Sequence, residues 1–108
     1  MTDIVDVSIT GPDADWLAVH TRSLIEARLV ACGNIVPAIR SIYRWEGAVE
    51  DDTEAYLVLH TQRRHVAEII RLTNAAHPYD TAQILATAVI EADPAYAQWV
   101  VAETGGAG

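Results

Sequence analysis

The chain has no lysine and no phenylalanine, and only one methionine and one cysteine among its 108 residues. Each scarcity excludes something. Cys32 has no second thiol to pair with, so neither an internal disulfide nor a paired-cysteine zinc or redox site can form. A reducing compartment suits such a chain, and we expect a cytoplasmic location. The seven basic residues, all arginine, face fifteen carboxylates, giving a formal net charge of −8. That balance repels phosphate backbones, which removes nucleic acid from the expected partners. Uninterrupted apolar runs are only a few residues long, and Asp3 and Asp6 sit where a signal peptide needs a basic start and a long apolar stretch. Neither export nor a membrane partner is expected. The chain also lacks a phosphate-cradling glycine loop, a Gly-x-Ser-x-Gly elbow, a His-Glu-x-x-His pair and a Cys-x-x-Cys pair, so the sequence does not read as an enzyme.

What is present is a 51% apolar composition, enough for one core without a disulfide or structural metal. We expect a single domain over residues 1–104 and a flexible glycine-rich tail over 105–108. Val5, Val7 and Ile9 alternate with Asp6, Ser8 and Thr10, the period of a half-buried strand. Gly11-Pro12-Asp13 breaks that pattern, and Asp13 can cap a helix running to about Arg28, with Leu17, Thr21, Leu24 and Ile25 on one face. Val30 to Trp45 is rich in β-branched and aromatic residues and predicts one long strand kinked at Pro37, which cannot donate a ladder hydrogen bond. Glu46-Gly47 turns the chain, Glu50-Asp51-Asp52 is expected in solvent, and Thr53 to Thr61 resumes as the returning strand of a long hairpin. Val66, Ile69, Ile70 and Thr73 mark a second helix that His77-Pro78 ends, and Gln83 to Ile90 reads as a fourth strand. Asp93-Pro94 opens a short third helix. The order is βαββαβ plus one helix, an α+β, ferredoxin-like arrangement.

In that arrangement two helices cover one face of the sheet, and the other face should be polar unless something buries it. Yet Tyr56, Val58, Leu85 and Val89 fall on the side opposite Ala55, Leu57, Leu59 and Ile84, so both faces carry apolar residues. Other copies of the chain or the third helix must cover the second face.

The histidines at 20, 60, 65 and 77 are far apart, and none has the i, i+4 partner that would set two ligands on one helix face. His20 and His65 lie on helices, where imidazoles are usually solvated. His60, on the second face of the third strand, and His77, in the His77-Pro78-Tyr79-Asp80 turn, are better candidates. A helix-ending histidine can also simply bond a backbone carbonyl. Cys32 reads first as a small core residue and second as a metal ligand. Tyr43 and Trp45 share a strand face before the hairpin turn, where rings fill an interface or line a binding site.

Four segments taken together are more specific. Arg28-Leu29-Val30-Ala31-Cys32-Gly33-Asn34-Ile35-Val36-Pro37, Ser41-Ile42-Tyr43-Arg44-Trp45-Glu46-Gly47, Glu54 with Thr61, and His77-Pro78-Tyr79-Asp80 with Gln83-Ile84 resemble the CutA family, in order and spacing, over about residues 4–104. The resemblance implies a homotrimer similar in architecture to the PII signalling proteins, with hairpins packed across subunits, and a link to tolerance of copper and other divalent cations without an implied reaction. It also exposes departures. His60 stands where the family usually has lysine. Ile9 and Ala76 stand where copper-binding members carry cysteine and histidine, and Ala82 and Ala88 replace prolines.

Two functions follow. In one, no cofactor is obligatory, and copper or another divalent cation is bound weakly by His77 with His60 or Cys32, the site being completed by a neighbouring subunit. In the other, a PII-like cleft between subunits, lined by Tyr43, Trp45, Glu54, His60, His77 and Tyr79 with Asp80 beside them, takes a small molecule or a partner peptide.

Overall fold

The computed structural model describes residues 3–108. Its first strand, β1 (Ile4–Gly11), is flanked on both sides, pairing antiparallel with β3 (Ala48–Gln62) and with β4 (Ile84–Ala88). The alternation read from the sequence decides the layers. Val5, Val7 and Ile9 are buried against Leu57, Leu59, Leu17, Leu24 and Ile69, while Asp6 and Ser8 face the other way. The helix α1 (Ala14–Glu26) starts where the Asp13 carboxylate accepts the Trp16 amide at 2.7 Å. It ends two residues short of Arg28. Arg28 adopts a left-handed φ of 62°, and the Leu29 amide donates back to the Leu24 carbonyl at 3.0 Å, closing the last turn. That closing role usually falls to glycine or asparagine, so no stop signal shows in the sequence. Ile25, expected on the buried face, is 40% exposed.

The long strand begins at Cys32, not Val30, and β2 (Cys32–Trp45) pairs with β3 along its length. Pro37 has the effect expected of it, a register shift between Val36 and Ile39. Glu46 at φ 48° and Gly47 at φ 82° make the two-residue turn, with left-handed conformations that match the twist of the strands. The returning strand starts five residues earlier than the acidic run suggested. Asp51 and Asp52 lie within the ladder, and Arg40 holds Asp51 through two bonds of 2.8 and 2.6 Å. Cross-strand partners thus keep a charged stretch extended.

A 3₁₀ turn (Arg63–His65) leads into α2 (Val66–Ala76), and β4 is shorter than the 83–90 span expected. In α3 (Pro94–Glu103) proline takes the first turn and the Asp93 carboxylate accepts the Tyr96 amide at 3.1 Å. The sheet order is β2-β3-β1-β4. The residues of α1 and α2 share one core with the inward side of the sheet. Val100 and Ala97 of α3 pack with Ile4, Ala31 and Val89 on the opposite side. So α3 covers only one end of the second face. Leu85 remains 58% and Val36 46% exposed, with Tyr56 and Val58 half-buried.

The end of α3 is held by side chains of the β3–α2 connection. Gln62 Nε2 donates to Thr104 Oγ1 at 2.8 Å and to the Gly106 carbonyl at 3.0 Å, and Arg64 reaches the same carbonyl. His65 also belongs here. It is half-buried and its Nε2 donates to the Thr104 carbonyl at 2.8 Å, which corrects the solvated position expected for it.

Candidate functional site

Strand register assembles a polar row on the second face. Cys32 lies opposite His60, His60 opposite Asp6, and Asp6 opposite Thr87, so four side chains cross the whole sheet at one level. His60 Nδ1 donates to the Asp6 carboxylate at 2.6 Å, and Asn34 Nδ2 donates to His60 Nε2 at 3.0 Å. A carboxylate only accepts and an amide nitrogen only donates, so the Nδ1–H tautomer is selected and the Nε2 lone pair faces Asn34. The half-buried Cys32 sulfur meets the Tyr96 hydroxyl at 3.2 Å, and the Tyr96 ring stands edge-on to His60 with centroids 6.0 Å apart. The bond to Cys32, then burial, pushes the Tyr96 phenol up to about 12. Cys32 is therefore at the contact between sheet and α3, outside the main core. Asp6 was absent from the sequence candidates, because only the pairing of β1 with β3 brings it to His60.

His77 sits elsewhere. It is buried, its Nε2 donates to the Thr10 carbonyl at 2.8 Å, and its Nδ1 accepts the Tyr79 amide at 3.1 Å. Thr10 is four residues along β1 from Asp6, about 13 Å at the usual rise. Main-chain groups thus occupy both His77 nitrogens, and the fold does not bring this ring to Cys32 and His60. Trp16 and Tyr79 flank it at centroid distances of 4.7 and 4.5 Å. His20 lies on the other side of Trp16, stacked at 5.3 Å. Contrary to expectation His20 is only 7% exposed, and its Nε2 bonds the Thr73 hydroxyl of α2 at 2.8 Å. Burial first, and the neighbouring His77 second, lower its pKa.

The hairpin candidates form a third group. Tyr43 donates to the Asp52 carboxylate, a bond that leads the causes raising its phenol to about 12. Tyr79 is also raised to about 12, by burial first and then by its hydrogen bond to Glu54. Tyr43, Tyr79, Asp52 and Glu54 thus share one exposed acidic and aromatic patch. Trp45, 40% exposed near the turn, and the exposed Asp80 have no polar side-chain partner among the described residues. Among the same residues no three His, Cys, Asp or Glu side chains are arranged to hold a metal ion. Of the candidate donors to a cation, Cys32 and His60 are the pair that strand register sets side by side, and each is already hydrogen-bonded, the sulfur to Tyr96 and the imidazole Nε2 to Asn34.

A four-stranded antiparallel sheet with two helices on one face and βαββαβ connections defines the ferredoxin-like class, here extended by a long hairpin and a third helix. A sequence model of the family described as CutA1 divalent ion tolerance protein matches residues 5–103, and the chain belongs to that family. It is 36% identical over 99 residues to the divalent-cation tolerance protein CutA of Thermus thermophilus, covering 92% of this chain and 96% of that one. It is 35% identical to the mouse protein CutA over 85% of this chain, but spans only about half (52%) of that relative's length. The crystal structure of CutA from Xylella fastidiosa superposes with a TM-score of 0.91 at 32% identity, covering 95% of this chain and 99% of that one.

Proposed function

We propose that this chain serves tolerance of divalent cations as a non-enzymatic, cytoplasmic homotrimer. The observation that carries the reading is the family match over residues 5–103, which takes in every strand and helix except Ile4 at the start of β1, together with near-complete coverage of a relative named for divalent-cation tolerance. A host lacking its own protein of this family and sensitive to Cu(II) tests it. Expression of the chain should restore growth in graded Cu(II), and no restoration at normal expression would count against the role.

Assembly is supported by the uncovered part of the second face, where Val36, Tyr56, Val58 and Leu85 offer apolar surface that α3 does not reach. Light scattering should give three times the 11.7 kDa chain mass. Val58→Asp should dissociate the trimer, since an unpaired carboxylate in a dry interface costs several kcal/mol. A wild-type monomer at micromolar concentration would sink this arrangement. No bound cation is obligatory in this reading, and of the candidates Cys32, His60 and His77 only the first two are neighbours, so any binding there is expected to be weak, while main-chain bonds occupy both nitrogens of His77.

A second reading keeps its own support. The Tyr43–Asp52 bond sets one ring beside a fixed acceptor on an exposed surface, with Tyr79, Glu54, Trp45 and Asp80 as further candidates, the mix of aromatic rings and a few polar groups that suits a small-molecule site. Calorimetric binding of a nucleotide or other small molecule, lost in Tyr79→Ala, would favour this reading.

A further inference from the structure

The connection between α2 and β4 hangs on one imidazole. From Pro78 to Gln83 the only main-chain hydrogen bond among the described residues runs from the Tyr79 amide to His77 Nδ1, at 3.1 Å. The other ring nitrogen fixes the tautomer. Nε2 meets the Thr10 carbonyl at 2.8 Å, and a carbonyl only accepts, so the ring proton is on Nε2 and Nδ1 is bare. A second proton has only Nδ1 to go to. There it faces the Tyr79 N–H, donor against donor, and that bond must open. We propose that His77 is an acid-released pin: a proton taken up at Nδ1 frees the Pro78–Gln83 connection, while the Nε2 bond keeps the ring anchored on β1.

The surroundings let the ring charge without the core coming apart. The Thr10 carbonyl goes on accepting, and more strongly from a charged donor, while the Trp16 and Tyr79 rings, at centroid distances of 4.7 and 4.5 Å, offer π faces to a cation. The other titratable groups here come from three elements. From α1 come His20, stacked on Trp16, and Asp13, whose carboxylate is bonded to the Trp16 amide. From β3 comes Glu54, whose charge helps to raise the Tyr79 phenol, and the connection itself carries Tyr79 and the exposed Asp80. α2 and β1 present only Thr73 and Thr10. Among the described residues no carboxylate is bonded to either imidazole. His20 resists a proton, its pKa being lowered by burial and then by His77, so the two rings do not charge together. Because Tyr79 belongs to the exposed aromatic and acidic patch, its release alters that patch, and this consequence alone rests on the small-molecule reading.

Residue-resolved amide exchange on the full chain, corrected for the pH dependence of the chemical step, tests the pin between about pH 7.5 and about pH 5. Protection of the Tyr79 amide should fall about 10-fold at the acid end, roughly the worth of one net hydrogen bond, while the β1 and β3 amides keep theirs. Imidazole nitrogen shifts of the wild type need no variant to fold. They should show Nε2 alone protonated at neutral pH, and Nδ1 gaining its proton over the interval in which Tyr79 loses protection. In His77→Gln the Tyr79 protection, whatever its level, should no longer vary with pH, and in His20→Gln the response should persist. A Tyr79 amide still protected once Nδ1 is protonated, an Nδ1 still bare at the acid end, or a response that survives in His77→Gln overturns the proposal. So does loss of protection that comes only with the β1 and β3 amides, or a response abolished in His20→Gln. A small molecule that binds at no pH, with the Tyr79 exchange responding as expected, counts against the small-molecule reading alone.

Discussion

Gly33→Ala tests whether the sheet and α1 are packed as closely as the structure requires. Gly33 lies opposite Leu59 on the helix-facing side of β2, where a Cβ would stand 2.7 Å from Thr21 Cγ2, 2.9 Å from Leu57 Cδ1 and 3.1 Å from Leu59 Cδ2. Carbon atoms prefer separations of about 3.5–4.0 Å. None of the three neighbours can retreat easily. Leu57 and Leu59 are fully buried, and Thr21 is β-branched with its hydroxyl tied to the Leu17 carbonyl at 2.7 Å. Overpacking of this kind costs about 1–3 kcal/mol, against which alanine's restriction of the unfolded chain returns about 0.4–1 kcal/mol. The expected net loss is about 1–2 kcal/mol. Guanidinium unfolding at fixed protein concentration reads it, the fixed concentration being needed because assembly would couple to stability. Adding Thr21→Ser removes the nearest carbon but keeps the hydroxyl, so the double variant should show a coupling of about 0.5 kcal/mol or more. An unchanged or raised midpoint in Gly33→Ala, or strict additivity with Thr21→Ser, would refute the close approach.

The lowered pKa of His20 means that below its ordinary value of 6.5 the unfolded chain takes up a proton the folded chain resists. Stability should therefore be full above that pH and decline as pH falls toward the folded value, and His20→Gln should flatten this part of an acid unfolding curve. Asp13→Ala removes the α1 cap and should cost about 1 kcal/mol in the same denaturation assay. In an alkaline absorbance titration Tyr43, Tyr79 and Tyr96 should ionise only near 12, and Tyr79→Phe should remove part of that late component without touching the rest.

Much of this fold is visible in the sequence wherever a local rule decides. The alternation of Val5, Val7 and Ile9, the caps Asp13 and Asp93, the break at Pro37 and the Glu46-Gly47 turn each act within a few residues and each appear as read. The misplacements come from partners distant in sequence. His20 stands three residues after Leu17 and four before Leu24, a spacing that hinted at burial, but its partner Thr73 is on another helix. His65 is drawn in by a carbonyl 39 residues away. Asp51 and Asp52 look like solvent-seeking loop residues until Arg40 and Tyr43 come alongside on β2. The candidate site divides in the same way. Cys32 and His60 can be chosen by residue type, whereas Asp6 and Asn34 gain a role only through strand register, and the engaged nitrogens of His77 depend on the course of β1.

The place of β1 also matters while the chain is being made. The strand that precedes β2, β3 and β4 in the chain is an inner one, paired with residues 55–62 on one side and 84–88 on the other. A ribosome working from the amino end releases Val5, Val7 and Ile9 long before either neighbour exists. The β2–β3 hairpin, in contrast, has its pairing partners close in sequence and can form within microseconds of release. The nascent chain must therefore carry β1 unpaired until β3 leaves the exit tunnel, and with one open edge until β4 does. The element that precedes the other strands and helices in chain order is thus among the last to have both its edges paired.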